Sequence, residues 1–303
     1  MNTVPLVSVW MVTFNHQEYI AQAVESVMMQ KTDFTVHLFI GEDFSSDNTK
    51  DTCQSLKNKY PDQISLVLND KNLGPNKNAK NIYEACFNSG AKYIAMLEGD
   101  DYWTDPLKLQ KQVDFMEGNP DYGICFHNVR QENDFNSKKH LIPGIKKDTD
   151  FTLNDYVLNN KTATCSIVFK NDVFETDIPK WFSKLPFGDL GLILMVLKKY
   201  QGKGRVLKEE MAVYRIHGEG VHGSFHKNNK GLIKAYKQHL LFTKIIEENL
   251  LFETEYKNIL YKKKIDTYER LSVLNKQDNN HFKFLRYKLL SIYTRIISKL
   301  NFF

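Results

Sequence analysis

Glu98, Asp100 and Asp101 put three carboxylates within four residues, straight after the apolar run Tyr93-Ile94-Ala95-Met96-Leu97. Like charges crowded in this way repel one another, and a turn made of them calls for a counter-ion. On extended backbone Glu98 and Asp100 face one side, with Asp101 beside them. Oxygen ligands suit a hard divalent cation such as Mg2+ or Mn2+, which would bridge to substrate phosphates. A solvated acidic turn on a sheet edge is the plainer alternative.

Other residues with chemical potential also stand at the ends of apolar runs. Thr13-Phe14-Asn15-His16 closes the first run, and a planar aromatic among polar groups can hold a nucleobase by stacking, although one phenylalanine is more often core. The turn is not Gly-x-Gly-x-x-Gly, and the chain has no Gly-Lys-Ser/Thr loop, which speaks against dinucleotide enzymes and P-loop NTPases. Glu42-Asp43-Phe44-Ser45-Ser46-Asp47 closes the second run. Asp43 there can accept the ring N–H of a pyrimidine, whereas Asp47 reads as a helix cap. Asp189, in Phe187-Gly188-Asp189, precedes a helical apolar run, where a carboxylate is a common cap. Arg215 and His217 come late, followed by His222-Gly223-Ser224, and a histidine in such a loop is usually only solvated.

The elements that must position these residues follow from the hydrophobic pattern. Strands are predicted at 6–12, 36–40, 64–68 and 93–97. Helices are predicted at 19–30, at 48–60 with Ser46 or Asp47 as N-cap, at 78–87, and from Asp105-Pro106 to near Gly118. This alternation predicts an α/β fold with a mostly parallel sheet flanked by helices, whose ligands bind at the carboxyl ends of the strands. Beyond Gly123, strands are expected at 124–128 and 164–169, separated by a polar stretch over 133–150. A helix at 190–200 and paired strands within 205–216 follow, and from about Phe225 only helical periodicity remains.

Taken together and in this order, the loops resemble the family 2 glycosyltransferases, which have the Rossmann-like GT-A fold. The matching residues are Val7-Ser8-Val9 leading to Thr13-Phe14-Asn15, then Glu42 to Asp47 with Thr49, and Asn72-x-Gly74 with Asn78. They continue through Glu98-Gly99-Asp100-Asp101-Tyr102-Trp103 and the Asp105-Pro106 helix start, so the resemblance spans roughly residues 5 to 224. It implies that Thr13, Phe14, Asn15, Asp43 and Asn78 serve the nucleotide sugar, that Asp100 sits near the ribose, and that Asp101 binds metal. Glu98 stands where the family's DxD motif begins with aspartate, and its longer arm reaches the ion through water at best. Asp189 falls where the family carries its catalytic base, Arg215 and His217 where it approaches the diphosphate or the metal, and Thr164-Cys165-Ser166 on its acceptor side. The implied reaction is inverting transfer of a monosaccharide from a nucleotide diphosphate, UDP above all, to a glycan or lipid-linked glycan of the cell surface. A sugar nucleotidyltransferase and a non-catalytic sugar-nucleotide or nucleic-acid binding module are the rivals.

Composition sets the frame. The 303 residues are 42% hydrophobic and 25% charged, as expected of a globular chain. The longest apolar run, Leu190 to Leu197, is too short to cross a bilayer. Met1 to Pro5 has no cationic leader, so no secretory signal is expected. Cys53, Cys86, Cys125 and Cys165 are widely spaced without a Cys-x-x-Cys pair, and read as buried thiols in a reducing cytoplasm. Charge divides the chain unevenly: residues 225–303 hold 16 Lys and Arg against 7 Asp and Glu, and residues 1–224 hold 25 against 29. The acidic body argues against a nucleic-acid partner. A GT-A domain over 1–224 and a basic helical extension over 225–303 are therefore expected. Within 281–303, Phe282, Leu285, Leu289, Ile292, Ile296, Leu300 and Phe303 form an apolar stripe flanked by Lys283, Arg286, Arg295 and Lys299. Such a stripe either makes peripheral contact with the inner face of the cell membrane or packs on protein.

Overall fold

A computed structural model describes residues 6–133, 136–174, 177–218 and 228–300. The expected leader-free start at 1–5, the His222-Gly223-Ser224 segment with the boundary at 224, and Phe303 lie outside the described residues. The chain forms two compact units, one of Met1–Leu153, Lys161–Pro179 and Met195–Arg215, the other of Asn154–Asn160, Lys180–Leu194 and Ile216–Phe303.

The first unit is built on one sheet. Strands β1 (Val7–Thr13), β2 (Val36–Glu42), β3 (Ile64–Leu68) and β4 (Tyr93–Met96) lie parallel in the order β3-β2-β1-β4. Helices α1 (Ile20–Met28), α2 (Thr49–Lys59) and α3 (Pro75–Phe87) connect them. β1 and β4 are buried almost throughout, which explains their unbroken apolar runs: a parallel strand covered on both faces has no polar side to show. In α1, Ile20, Ala23, Val24 and Val27 are buried at helical spacing.

Beyond β4 the sheet changes direction. β9 (Val168–Lys170) pairs antiparallel with β4 and with β6 (Ile124–Asn133), and β10 (Lys203–Ile216) follows β6 in the order. β5 (Tyr102–Trp103) and β8 (Thr149–Thr152) both pair antiparallel with β10.

Several local expectations need correction. The paired strands foreseen within 205–216 are one strand, because β10 meets β8 along its first half and β5 along its second. Thr164–Ser166 is a 3-10 turn ahead of the short β9, with the Ser166 hydroxyl donating to the Ala163 carbonyl at 2.7 Å. The polar stretch holds strands β7 (Asn136–Ile142) and β8, with β7 pairing β6 as a hairpin. Helix α4 (Lys108–Gly118) starts later than Asp105-Pro106, since the Asp105 carboxylate first accepts the Leu107 N–H at 2.8 Å in a turn. The N-cap of α2 is Asn48, although Asp47 still accepts the Thr49 N–H at 3.0 Å.

In the second unit, the long helices are α7 (Asn229–Asn249), α8 (Lys257–Gln277) and α9 (His281–Leu300), numbered after α5 (Leu153–Leu158) and α6 (Gly188–Lys199). Asn228 caps α7 by accepting the Gly231 N–H at 3.0 Å. α9 folds back along α8, with Phe284 meeting Ser272, Tyr287 stacked on Tyr268, and Ser291 bonded to Glu269.

Candidate functional site

The loops after β1 and β2 are fastened to each other. Asn15 N–H donates to the Ser45 hydroxyl (3.0 Å), His16 N–H to Thr49 Oγ1 (2.8 Å) and Gln17 N–H to the Asp47 carboxylate (3.1 Å). In return, the Asn15 and Gln17 side-chain carbonyls accept the N–H groups of Ser46 and Asn48 at 2.9 and 3.1 Å. Asn15 and Phe44 adopt left-handed backbone, with φ of 54° and 59°. Asparagine tolerates this conformation and phenylalanine pays for it, by roughly 1–3 kcal/mol that the surrounding bonds must offset. Two aromatic side chains, Phe14 at 42% and Phe44 at 52% exposure, stand out at adjacent strand ends. Thr13 is buried at the end of β1.

Asp43 is buried and organises the next loop. Its Oδ1 accepts from Asn69 Nδ2 (2.9 Å) and the Leu73 N–H (2.8 Å), and its Oδ2 from the Gly74 N–H (2.9 Å). Three of its four lone-pair directions are therefore engaged. Asn78 is likewise buried, its amide donating to the Gly41 carbonyl at 2.9 Å and accepting from Asn69 at 3.1 Å. The structure thus places Asn78 behind the site, holding β2 to α3, and its side chain does not line the surface.

At the end of β4 the acidic loop approaches β1 very closely. A Cβ on Gly99 would lie 2.8 Å from Thr13 Cβ and Oγ1 and 3.1 Å from His16 Nδ1, so this position has no room for a side chain. Asp101 is fully buried, and its Oδ1 accepts the backbone N–H of Arg215 at 2.9 Å. No hydrogen-bond donor among the described residues reaches its Oδ2, and the Cys165 thiol neighbours the carboxyl group. Burial, reinforced by Asp100 and Glu98, pushes the Asp101 carboxyl well above the usual range. Burial and the same three acids also push the Tyr214 phenol up. Glu98 is half-buried in this ring of negative charge.

Arg215 holds the loop in place. Its Nη1 donates to the Asp100 carbonyl at 2.7 Å and its Nη2 to Gln22 at 2.5 Å. Its guanidinium also lies over the rings of Tyr102 and Tyr19, at 4.4 and 5.1 Å from their centroids.

Asp100 and His16 are each partly exposed, and their Oδ2 and Nε2 stand 3.7 Å apart. Both can reach one cation at bond lengths of about 2.1–2.2 Å, so this pair fits the ion implied by the acidic motif. Carboxylate oxygens suit Mg2+ and Mn2+, and the imidazole favours a first-row ion. His16 was not picked out from sequence as a ligand; its one signal was its place next to Asn15 at a strand end. His217, the first residue past β10, belongs to the second unit, as does Asp189. Asp189 stands in the first turn of α6, partly exposed, with Asn160 Nδ2 3.3 Å from its Oδ2.

Comparison with known proteins agrees with this geometry. Residues 8–174, more than half of the chain, match the model of glycosyl transferase family 2. An uncharacterized protein of Mycobacterium tuberculosis, Rv1520, is 32% identical over 214 residues, which cover 71% of this chain and 60% of the relative. This chain thus spans about 60% of the length of that mycobacterial relative. The GalNAc(5)-diNAcBac-PP-undecaprenol beta-1,3-glucosyltransferase of Campylobacter jejuni is 27% identical over 94% of this chain and 87% of its own. Among solved structures, S. aureus TarS 1-349 in complex with UDP superposes with a TM-score of 0.59 at 14% identity, covering 97% and 88% of the two chains. The mannosyltransferase PcManGT of Pyrobaculum calidifontis, in complex with GDP-Man and Mn2+, gives 0.51 at 13% identity over 99% and 84%. These likenesses establish the GT-A fold. With strand-end loops of this composition on that fold, and a family match across most of them, the chain belongs to glycosyl transferase family 2.

Proposed function

We propose that this chain transfers a monosaccharide, with inversion, from a UDP-linked donor to a hydroxyl of a glycan or lipid-linked glycan, and that a divalent cation assists. The observation that carries the proposal is the acidic rim at the carboxyl end of β4, with the partly exposed Asp100 and His16 3.7 Å apart beside the buried Asp101. Two neighbours of the same fold were solved with UDP and with GDP-Man and Mn2+, and the Campylobacter relative is named for an undecaprenol-linked acceptor.

In this scheme Phe14 and Phe44 offer ring faces to the base. Asp43 keeps one lone-pair direction for its ring N–H while shaping the Asn69–Gly74 loop. Asp100 and His16 would hold the ion, with Glu98 reaching it through water; the buried Asp101 backs the rim from beneath. A bound divalent ion supplies positive charge that neutralises the leaving diphosphate. Arg215 keeps the acidic loop in position through the Asp100 carbonyl and the Asp101 carboxylate. His217 is a further candidate contact to the diphosphate or the ion. Asp189 acts as general base: it takes the acceptor hydroxyl's proton as that oxygen attacks the anomeric carbon opposite the departing UDP. The four thiols are all free and buried, which suits work in the reducing cytoplasm.

The test is UDP release from a panel of UDP-sugars with Mn2+ and a glycan acceptor. Asp189→Asn should lower kcat by about 10²–10⁴-fold with donor affinity unchanged. Release from no sugar of the panel, or full turnover by Asp189→Asn, would overturn the scheme.

A further inference from the structure

α9 presents its oily side to the outside. Phe282 (78% exposed), Leu285, Leu289 (64%), Ile292, Tyr293, Ile296 and Leu300 (67%) are all exposed. At 100° per residue they fall within about 100° of the helix circumference, a single continuous stripe. The opposite side of the helix faces α8, and its most deeply buried residues are small and polar, Ser291 and Thr294. Ser291 and Arg295 bond to Glu269 there, and Tyr287 stacks on Tyr268. An ordinary amphipathic helix would turn the stripe inward and leave serine and threonine in water.

The charges bordering the stripe identify its neighbour. α9 contains Lys283, Arg286, Lys288, Arg295 and Lys299 and no Asp or Glu. Among the described residues, Arg295 alone of these five has an acidic partner, Glu269. Pairing two copies of such a face would bring cation against cation. An anionic bilayer surface matches both features, taking the apolar side chains below its headgroups and the cations among its phosphates. No helix of the described residues is long and apolar enough to cross a membrane, so the contact is one of lying on the surface.

We propose that α9 lies in the headgroup layer of an anionic lipid bilayer, with Phe282, Leu285, Leu289, Ile292, Ile296 and Leu300 inserted and the flanking cations on phosphate. This does not rest on sugar transfer, since a catalytically dead chain would bind equally well.

The experiment is sedimentation of the full chain with vesicles of phosphatidylcholine containing one third phosphatidylglycerol, against vesicles of phosphatidylcholine alone. The chain should pellet with the anionic vesicles and far less with the neutral ones. Leu285→Ser, Leu289→Ser and Ile296→Ser combined should reduce partitioning by about tenfold for each side chain. Lys283→Gln, Arg286→Gln and Lys288→Gln combined should reduce it by about fivefold for each charge. These positions are exposed, and an unchanged circular-dichroism spectrum verifies each variant's fold; should the serine variant misfold, the glutamine variant decides alone. Absence of pelleting with anionic vesicles, or unchanged pelleting of the variants, overturns the proposal. So does a solution dimer that the serine variant dissociates while the parent chain ignores lipid, which would make the stripe a contact between copies.

Discussion

The guanidinium of Arg215 touches the Asp100 carbonyl, Gln22, Tyr19 and Tyr102, while its backbone N–H serves Asp101. The side chain fixes the loop that carries the acids. Arg215→Ala should cost about 2–4 kcal/mol in urea unfolding with an unchanged m-value. Arg215→Lys should recover less than half of that, because an ammonium lacks the flat fork that both stacks and donates twice. A second residue argues from titration. Lys108 is fully buried over the Trp103 ring, its Nζ 4.0 Å from the centroid and without a hydrogen-bond partner among the described residues. Burial lowers its pKa from 10.5 to about 7. Between those values the unfolded chain binds the proton that the folded chain has given up, so this group makes stability rise with pH from about 7 to about 10. Below 7 the folded state must carry a buried charge. Lys108→Met should therefore stabilise the chain by about 2–4 kcal/mol at pH 6.5, and the gain should fade towards pH 10. Unfolding curves of both proteins across that range provide the check, with all other titrating groups shared.

At the scale of elements, the close approach of β1 to the acidic loop makes Gly99 the sensitive position. A Cβ there meets Thr13 at 2.8 Å, and one of the two loops must move. Gly99→Ala should lose about 1–3 kcal/mol of stability and weaken UDP binding at least tenfold by calorimetry, since Thr13 opens the Phe14 loop. The parallel half of the sheet was legible in the sequence because buried strands such as β1 read as unbroken apolar runs and α1 repeats at helical spacing. The antiparallel half was not. β10 is one strand of 14 residues that pairs with two short partners, and its alternating pattern reads as two strands. The turn at Thr164–Ser166 was hidden by Cys165 and Ile167, which are buried as strand residues would be. Of the candidate site, the acids were legible from their crowding. The interior duties of Asn78 and Arg215 were not, because a hydrogen bond across 37 or 115 positions leaves no local signature.

For the whole molecule, the strand-end loops lie in the first unit, and Asp189 and the basic helices in the second. A ligand that binds only the folded first unit stabilises the chain by mass action, about 2.7 kcal/mol at a hundredfold excess over Kd. UDP with Mn2+ should accordingly raise Tm by several degrees, and a chelator should abolish most of the shift; a Tm indifferent to both would count against the rim. The fastening of the acidic loop has one more consequence, for a chain still on the ribosome. Asp101 and Asp100 are gripped by a residue 114 and 115 positions downstream. A nascent polypeptide that has released residues 8–174 already carries the whole segment that matches the family, yet Arg215 has not emerged. The acids then repel one another with nothing to hold them. The acidic loop acquires these bonds only with β10, which makes the oldest-made part of the protein wait for one of its later strands.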